Sequence, residues 1–148
     1  MNGSRGQVLV FFALALPLIL LPAAAYAVDA AVTASAYSRL VEVTARAAEY
    51  AAQQIDIARL RAGGGISIDV VSATRAAADS LAASEPSAEL NDLAVLGAEL
   101  RLATTETVVL PFSFFGSPRV AVHAEVTARI APGYESPSSR LPLPVSTF

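Results

Sequence analysis

The arrangement of hydrophobic and polar positions changes character several times along the chain. From Val8 to Val28 the sequence VLVFFALALPLILLPAAAYAV has no charged residue, and only Pro17 and Pro22 interrupt its apolar side chains. A helix over this run, rising about 1.5 Å per residue, is roughly 30 Å long, the thickness of a bilayer's hydrocarbon core. From Ala30 to Arg61 polar residues recur at Ser35, Arg39, Glu42, Arg46, Glu49, Gln53 and Asp56. Steps of four and three predict one wet face of a long helix, ending at the breaker Gly63-Gly64-Gly65. Two apolar rows flank that stripe: Leu40, Val43, Ala47, Tyr50 and Ile57, then Tyr37, Val41, Ala48, Ala51 and Ile55. Their spacing and small residues suit packing on the chain's own domain or against a helix of another subunit.

After the glycines, Asp69 is a natural N-cap for a shorter helix over Val70 to Ala83, with Val70, Thr74, Ala77 and Leu81 on one face. A β-branched strand from Ile66 to Val71 competes with that reading. Ser84-Glu85-Pro86-Ser87 closes the element and begins a polar connector. From about Val95 the period becomes two: Leu96, Ala98, Leu100 and Leu102 alternate with Glu99 and Arg101, a strand with one wet face. Thr105 to Leu110 is a second strand. The loop Pro111 to Pro118 carries Phe112, Phe114 and Phe115. In the third strand Val120, Val122, Ala124, Val126, Ala128 and Ile130 alternate with Ala121, His123, Glu125, Thr127 and Arg129. From Pro132 the Pro- and Ser-rich tail reads as extended or disordered.

The expected fold is therefore α+β and pilin-like in layout. A long N-terminal helix, transmembrane then amphipathic, precedes a second short helix and a small antiparallel β-sheet whose apolar face meets the long helix. The segments are a leader at 1–7, a transmembrane helix at 8–28, its amphipathic continuation at 29–62, an α+β head at 66–131 and a tail at 132–148. Pro17 and Pro22 are expected to kink or locally melt the membrane half.

Composition narrows the chemistry. The formal net charge is −3, and all ten basic residues are arginine, with no basic cluster, so nucleic-acid binding has no electrostatic footprint. Absence of cysteine removes disulfides, thiolate nucleophiles and Cys-based metal sites. His123, the single histidine, shares a strand face with Glu125, which is too few ligands for a usual metal site. No nucleophile-elbow sequence is present, and the triple glycine lacks the Lys-Ser/Thr of a phosphate loop. Neither a catalytic, a metal nor a cofactor site is expected, and the chain does not read as an enzyme.

Arg5 precedes the apolar run and Asp29 is the first charge after it, so the positive-inside tendency keeps the N-terminus cytoplasmic and exports the remainder. Ala25-Tyr26-Ala27 has the small-x-small pattern of a signal-peptidase site. A cut after Ala27 gives a secreted, non-enzymatic binding or structural domain. Against that, the apolar run exceeds the usual signal-peptide core. The segment RGQVLVFFALALPLILLPAAAYAVDA resembles the N-terminal segment of TadE/TadG-type Tad/Flp pilus-assembly proteins, through Arg5, Gly6, Gln7, Ala13, Leu14, Pro17 and Asp29. TadE-like members usually carry a Glu where this chain has Phe11, which points to the TadG-like branch. The resemblance implies a single-pass subunit or assembly component (pseudopilin or minor pilin) of a Tad/Flp-type pilus or secretion apparatus in a bacterial or archaeal cell membrane. It further implies membrane lipid and other pilus subunits as partners, and a prepilin peptidase cutting between Gly6 and Gln7. Val8, Phe11, Pro17 and Val28 mark the anchor; Leu40, Val43, Ala47, Tyr50 and Ile57 mark the packing row.

Overall fold

The computed structural model describes residues 3–113 and 116–130, with side chains from residue 9 onward. The tail at 132–148 and the residues Phe114 and Phe115 lie outside the described residues. The fold is α+β. Its first element is one helix, α1 (Gly3–Ala52), which runs through Pro17 and Pro22 without a break. Each proline removes one backbone donor, but its fixed φ is helical, so the helix continues past both.

Helix α1 ends earlier than the glycines suggest, because tertiary pairing captures the backbone first. Ile55 bridges Ile68, Asp56 N–H donates to Ser67 C=O at 2.9 Å, and Asp69 N–H donates to Gln54 C=O at 2.8 Å. Residues 57–61 therefore form a separate five-residue helix, α2 (Ile57–Arg61), capped by the Asp56 carboxylate on Arg59 N–H at 2.9 Å. The glycines turn the chain after α2; Gly63 and Gly65 take φ of 79° and 73°, a region that only glycine enters readily.

Helix α3 (Val70–Ser84) begins at Asp69, whose carboxylate accepts from Val71 N–H and Ser72 N–H. The Ser72 hydroxyl donates to it at 2.8 Å, and this bond is the main cause that holds the Asp69 carboxyl below its ordinary range. The buried face runs through Ala73, Ala77 and Leu81; Val70 and Thr74, expected on that face, are exposed. The competing strand reduces to the single bridge at Ile68.

Three antiparallel strands follow in the order β1 (Ala88–Leu96), β2 (Glu99–Val109) and β3 (Arg119–Arg129). Their bounds correct the sequence expectation twice. First, β1 occupies the stretch read as a polar connector, where a bulge between Leu90 and Asp92 disturbs the alternation. Second, the strand expected across Leu96 to Leu102 is cut by a two-residue turn. Leu96 pairs with Glu99, and Gly97 takes φ of 66° at the first turn position, the requirement of a tight hairpin. Strand β2 then continues through Leu102 to Val109 and joins the two strands expected there into one.

The inner face of the sheet is covered by α1 over β2 and β3 and by α3 beside β1. An upper core contains Val43, Ala47, Ala48 and Ala51 of α1, Ala73, Ala77 and Leu81 of α3, and Leu100 and Leu102 of β2. A lower core contains Ala36, Leu40, Val108, Val122 and Ala124. The alanines on facing helices let α1 and α3 approach closely, so little volume separates their backbones.

Candidate membrane anchor and its junction with the head

Helix α1 changes role along its length. Its large apolar side chains from Leu9 to Leu21 are exposed, and the helix is, by length and composition, long and apolar enough to cross a membrane. Beyond Asp29 one face of the same helix is consumed by the head through Ala36, Leu40, Val43, Thr44, Ala47, Ala48 and Ala51. These recur at three- and four-residue steps, so the buried stripe is one continuous ridge. Ser35, Arg39, Glu42, Arg46 and Glu49 lie exposed on the opposite face, as the polar stripe predicts, whereas its last two members, Gln53 and Asp56, fall beyond the end of α1. Of the row Leu40, Val43, Ala47, Tyr50 and Ile57, the first three are buried in the chain's own core, while Tyr50 and Ile57 are exposed. Gly6 and Gln7 lie in the opening turns of α1, and Phe11 and Val28 are exposed along it.

A polar band that the sequence pattern concealed separates the two cores. The inner face of β2 reads Leu100, Leu102, Thr104, Glu106, Val108, and both polar members are buried. Thr44 Oγ1 donates to Leu40 C=O at 2.6 Å and meets Thr104 Oγ1 at 2.6 Å, so the Thr104 hydroxyl is the donor of that second bond. Glu106, only 5% exposed, accepts from Arg39 Nη2 at 3.0 Å, and the Ser87 hydroxyl is shared between Glu106 at 3.2 Å and Glu85 at 2.8 Å. Arg39 Nε also pairs with Glu85 at 2.7 Å. One arginine on α1 thus ties the helix to β2 and to the segment joining α3 with β1. The signal in the sequence was the pair of polar residues on the apolar face of β2; their partners are too distant in sequence for periodicity to reveal.

At the lower end, the first charge after the apolar run is fully buried. The Asp29 carboxylate accepts the backbone N–H of Phe112, at 3.0 Å, from the loop between β2 and β3. That loop is closed by Leu110 N–H donating to Pro118 C=O at 2.9 Å. Just above it, Ala30, Ala34 and Tyr37 of α1 face Val120 and Val122 of β3 across an open, apolar recess of about 650 Å³.

The outer face of the sheet carries the residues weighed for chemistry, and their partners are ordinary strand neighbours. His123 Nδ1 lies 2.8 Å from the Thr105 hydroxyl, directly across the ladder. Glu125 pairs with Arg101, whose hydrogen bond is the main cause that holds the Glu125 carboxyl below its ordinary range and raises the guanidinium. Arg129 pairs with Glu99 at 2.8 Å. Among the described residues no group of three or more His, Cys, Asp or Glu is placed to hold a metal ion. Compared with known proteins, the chain matches no family model, no curated protein and no solved structure.

Proposed function

We propose that this chain is a single-pass, membrane-anchored, pilin-like subunit or assembly component of a Tad/Flp-type pilus or secretion apparatus. Its work is mechanical: α1 holds the protein in the bilayer, N-terminus cytoplasmic, and presents the exported head to partner subunits. The observation that carries this reading is the unbroken α1, exposed and apolar below Asp29 and built into the head's core above it. A disposable export signal has no need of such continuity with the mature fold. The apolar recess beside Tyr37 and the exposed Tyr50 and Ile57 support contact with neighbouring subunits. The resemblance at Arg5, Gly6 and Gln7 supports trimming by a prepilin-type peptidase after Gly6.

Intact mass and N-terminal sequencing of the protein purified from native membranes test the proposal. A chain that begins at Gln7 or Met1 and leaves the membrane only with detergent supports it. A chain that begins at Val28 and washes off in high salt overturns it in favour of the secreted domain.

A further inference from the structure

The span and the β2–β3 loop meet at one level. Asp29 follows the apolar run directly, and its buried carboxylate holds the amide of Phe112 at 3.0 Å. While that amide is fixed, the Phe112 side chain stays out of the core, 59% exposed. Tyr26, 48% exposed, lies three residues below Asp29, about 4.5 Å along the helix axis. Val109, also exposed, stands at the base of the loop and pairs in register with Arg119. Arg119 is exposed and has no ion-pair partner among the described residues.

We propose that the segment leaving β2, Leu110 to Ser113, is a second membrane contact. In it, Phe112 enters the interfacial zone of the leaflet from which α1 emerges, and Asp29 is the mooring that keeps the loop at that height. The inference rests on the reading of residues 8–28 as a bilayer span. Once the span is placed, the remaining geometry follows from bond lengths: a residue hydrogen-bonded to position 29 cannot stand far above the end of the apolar run. Aromatic rings favour the headgroup level, where an apolar body meets a wet boundary. Arg119, beside the loop, supplies a cation for lipid phosphate. The contact also serves the acid. A carboxylate at the rim of the hydrocarbon is costly unless it is hydrogen-bonded, and the loop both covers Asp29 and donates to it.

The chain contains no tryptophan, so single substitutions give single fluorescent reporters. Phe112→Trp, Leu14→Trp and Val71→Trp are compared in the full chain, reconstituted in phosphatidylcholine–phosphatidylglycerol vesicles with and without brominated acyl chains. Val71 is the distal reference: it is exposed near the start of α3, which is tethered to Gln54 at the far end of α1. Bromination is expected to lower emission at positions 112 and 14 by about half and to leave position 71 unchanged. Quenching at 14 with position 112 behaving like 71 overturns the loop contact and leaves the span standing. Absence of quenching at 14 removes the span and the loop contact with it. Adding Asp29→Ala to Phe112→Trp is expected to relieve the quenching at 112. A variant that keeps its circular-dichroism spectrum and remains fully quenched refutes the mooring role of Asp29.

Discussion

Arg39→Ala is the substitution that most directly probes the polar band across the core. Glu106 is 5% exposed, and its carboxylate has Arg39 at 3.0 Å and Ser87 at 3.2 Å; the second oxygen, Oε2, has no hydrogen-bond partner among the described residues. Removing Arg39 leaves a buried carboxylate with the Ser87 hydroxyl, which is nearer to Glu85 (2.8 Å) than to Glu106 (3.2 Å). Hydrogen bonds to charged groups contribute about 1.5–3 kcal/mol, and losing one partner of a fully buried pair costs about 3–5 kcal/mol. The Arg39 side chain is 52% exposed, so water already screens it and partly replaces it, which places the expected loss near 2 kcal/mol. For a head of about 100 residues this lowers the thermal midpoint by about 8–16 °C. The measurement is thermal unfolding of the full chain in detergent, followed by circular dichroism at neutral pH. Arg46→Ala is the matched control: its pair with Glu42 at 2.5 Å is exposed, of the i,i+4 kind, and contributes about 0.3–0.5 kcal/mol. Replacing Arg39 and Glu106 together by leucine is expected to recover most of the loss, since neither charge then remains buried. Equal midpoints for Arg39→Ala and Arg46→Ala, or no recovery in the double leucine variant, would refute the reasoning.

Two further outcomes follow from the same structure. Leu40→Ala, at a fully buried position in the lower core, is expected to cost about 2–5 kcal/mol, whereas Leu96→Ala, on the exposed hairpin, is expected to stay within about 0.5 kcal/mol; denaturant unfolding compares them. Stability is expected to fall as the solution is acidified. The Glu125 and Asp69 carboxyls are held below their unfolded values, by Arg101 and by Ser72 respectively. Their contribution is therefore present above the unfolded range near pH 4 and lost as the pH drops through the lower folded values. Glu125 is exposed and Asp69 half-buried at the surface, so the slope is shallow; a midpoint-against-pH curve that does not flatten in Glu125→Gln with Asp69→Asn contradicts this account.

What could be read from residues alone follows the range of the interactions that decide it. The apolar run, the polar stripe as far as Glu49, the Asp69 cap and the alternation of Val120 to Ile130 are local patterns, and each appears where it was expected. Features set by distant partners were not legible. Gln53 and Gln54 give no sign of a helix end, because the end comes from backbone pairing with Ser67 and Asp69. The burial of Thr104 and Glu106 on the inner face of β2 could not be foreseen, since their partners Thr44 and Arg39 lie on α1. Gly97 was hidden inside an apparent two-residue period, and the bulge before Asp92 erased that period in β1. The alanines of α3 likewise gave no gradient from which to choose its buried face. The site at Asp29 was half visible: the acid was marked as the exit from the apolar run, but its grip on Phe112 spans the fold.

Helix α1, continuous from its apolar half into the head, makes the protein a lever. From Asp29 to Ala52 the helix climbs about 35 Å with the head fastened along it. Under the proposed anchoring, a span leaning about 20° from the bilayer normal, an ordinary tilt, carries the top of the head sideways by about 12 Å. Given that anchoring, lipid thickness and any pull on the membrane end would be felt at the crown of the head as displacement.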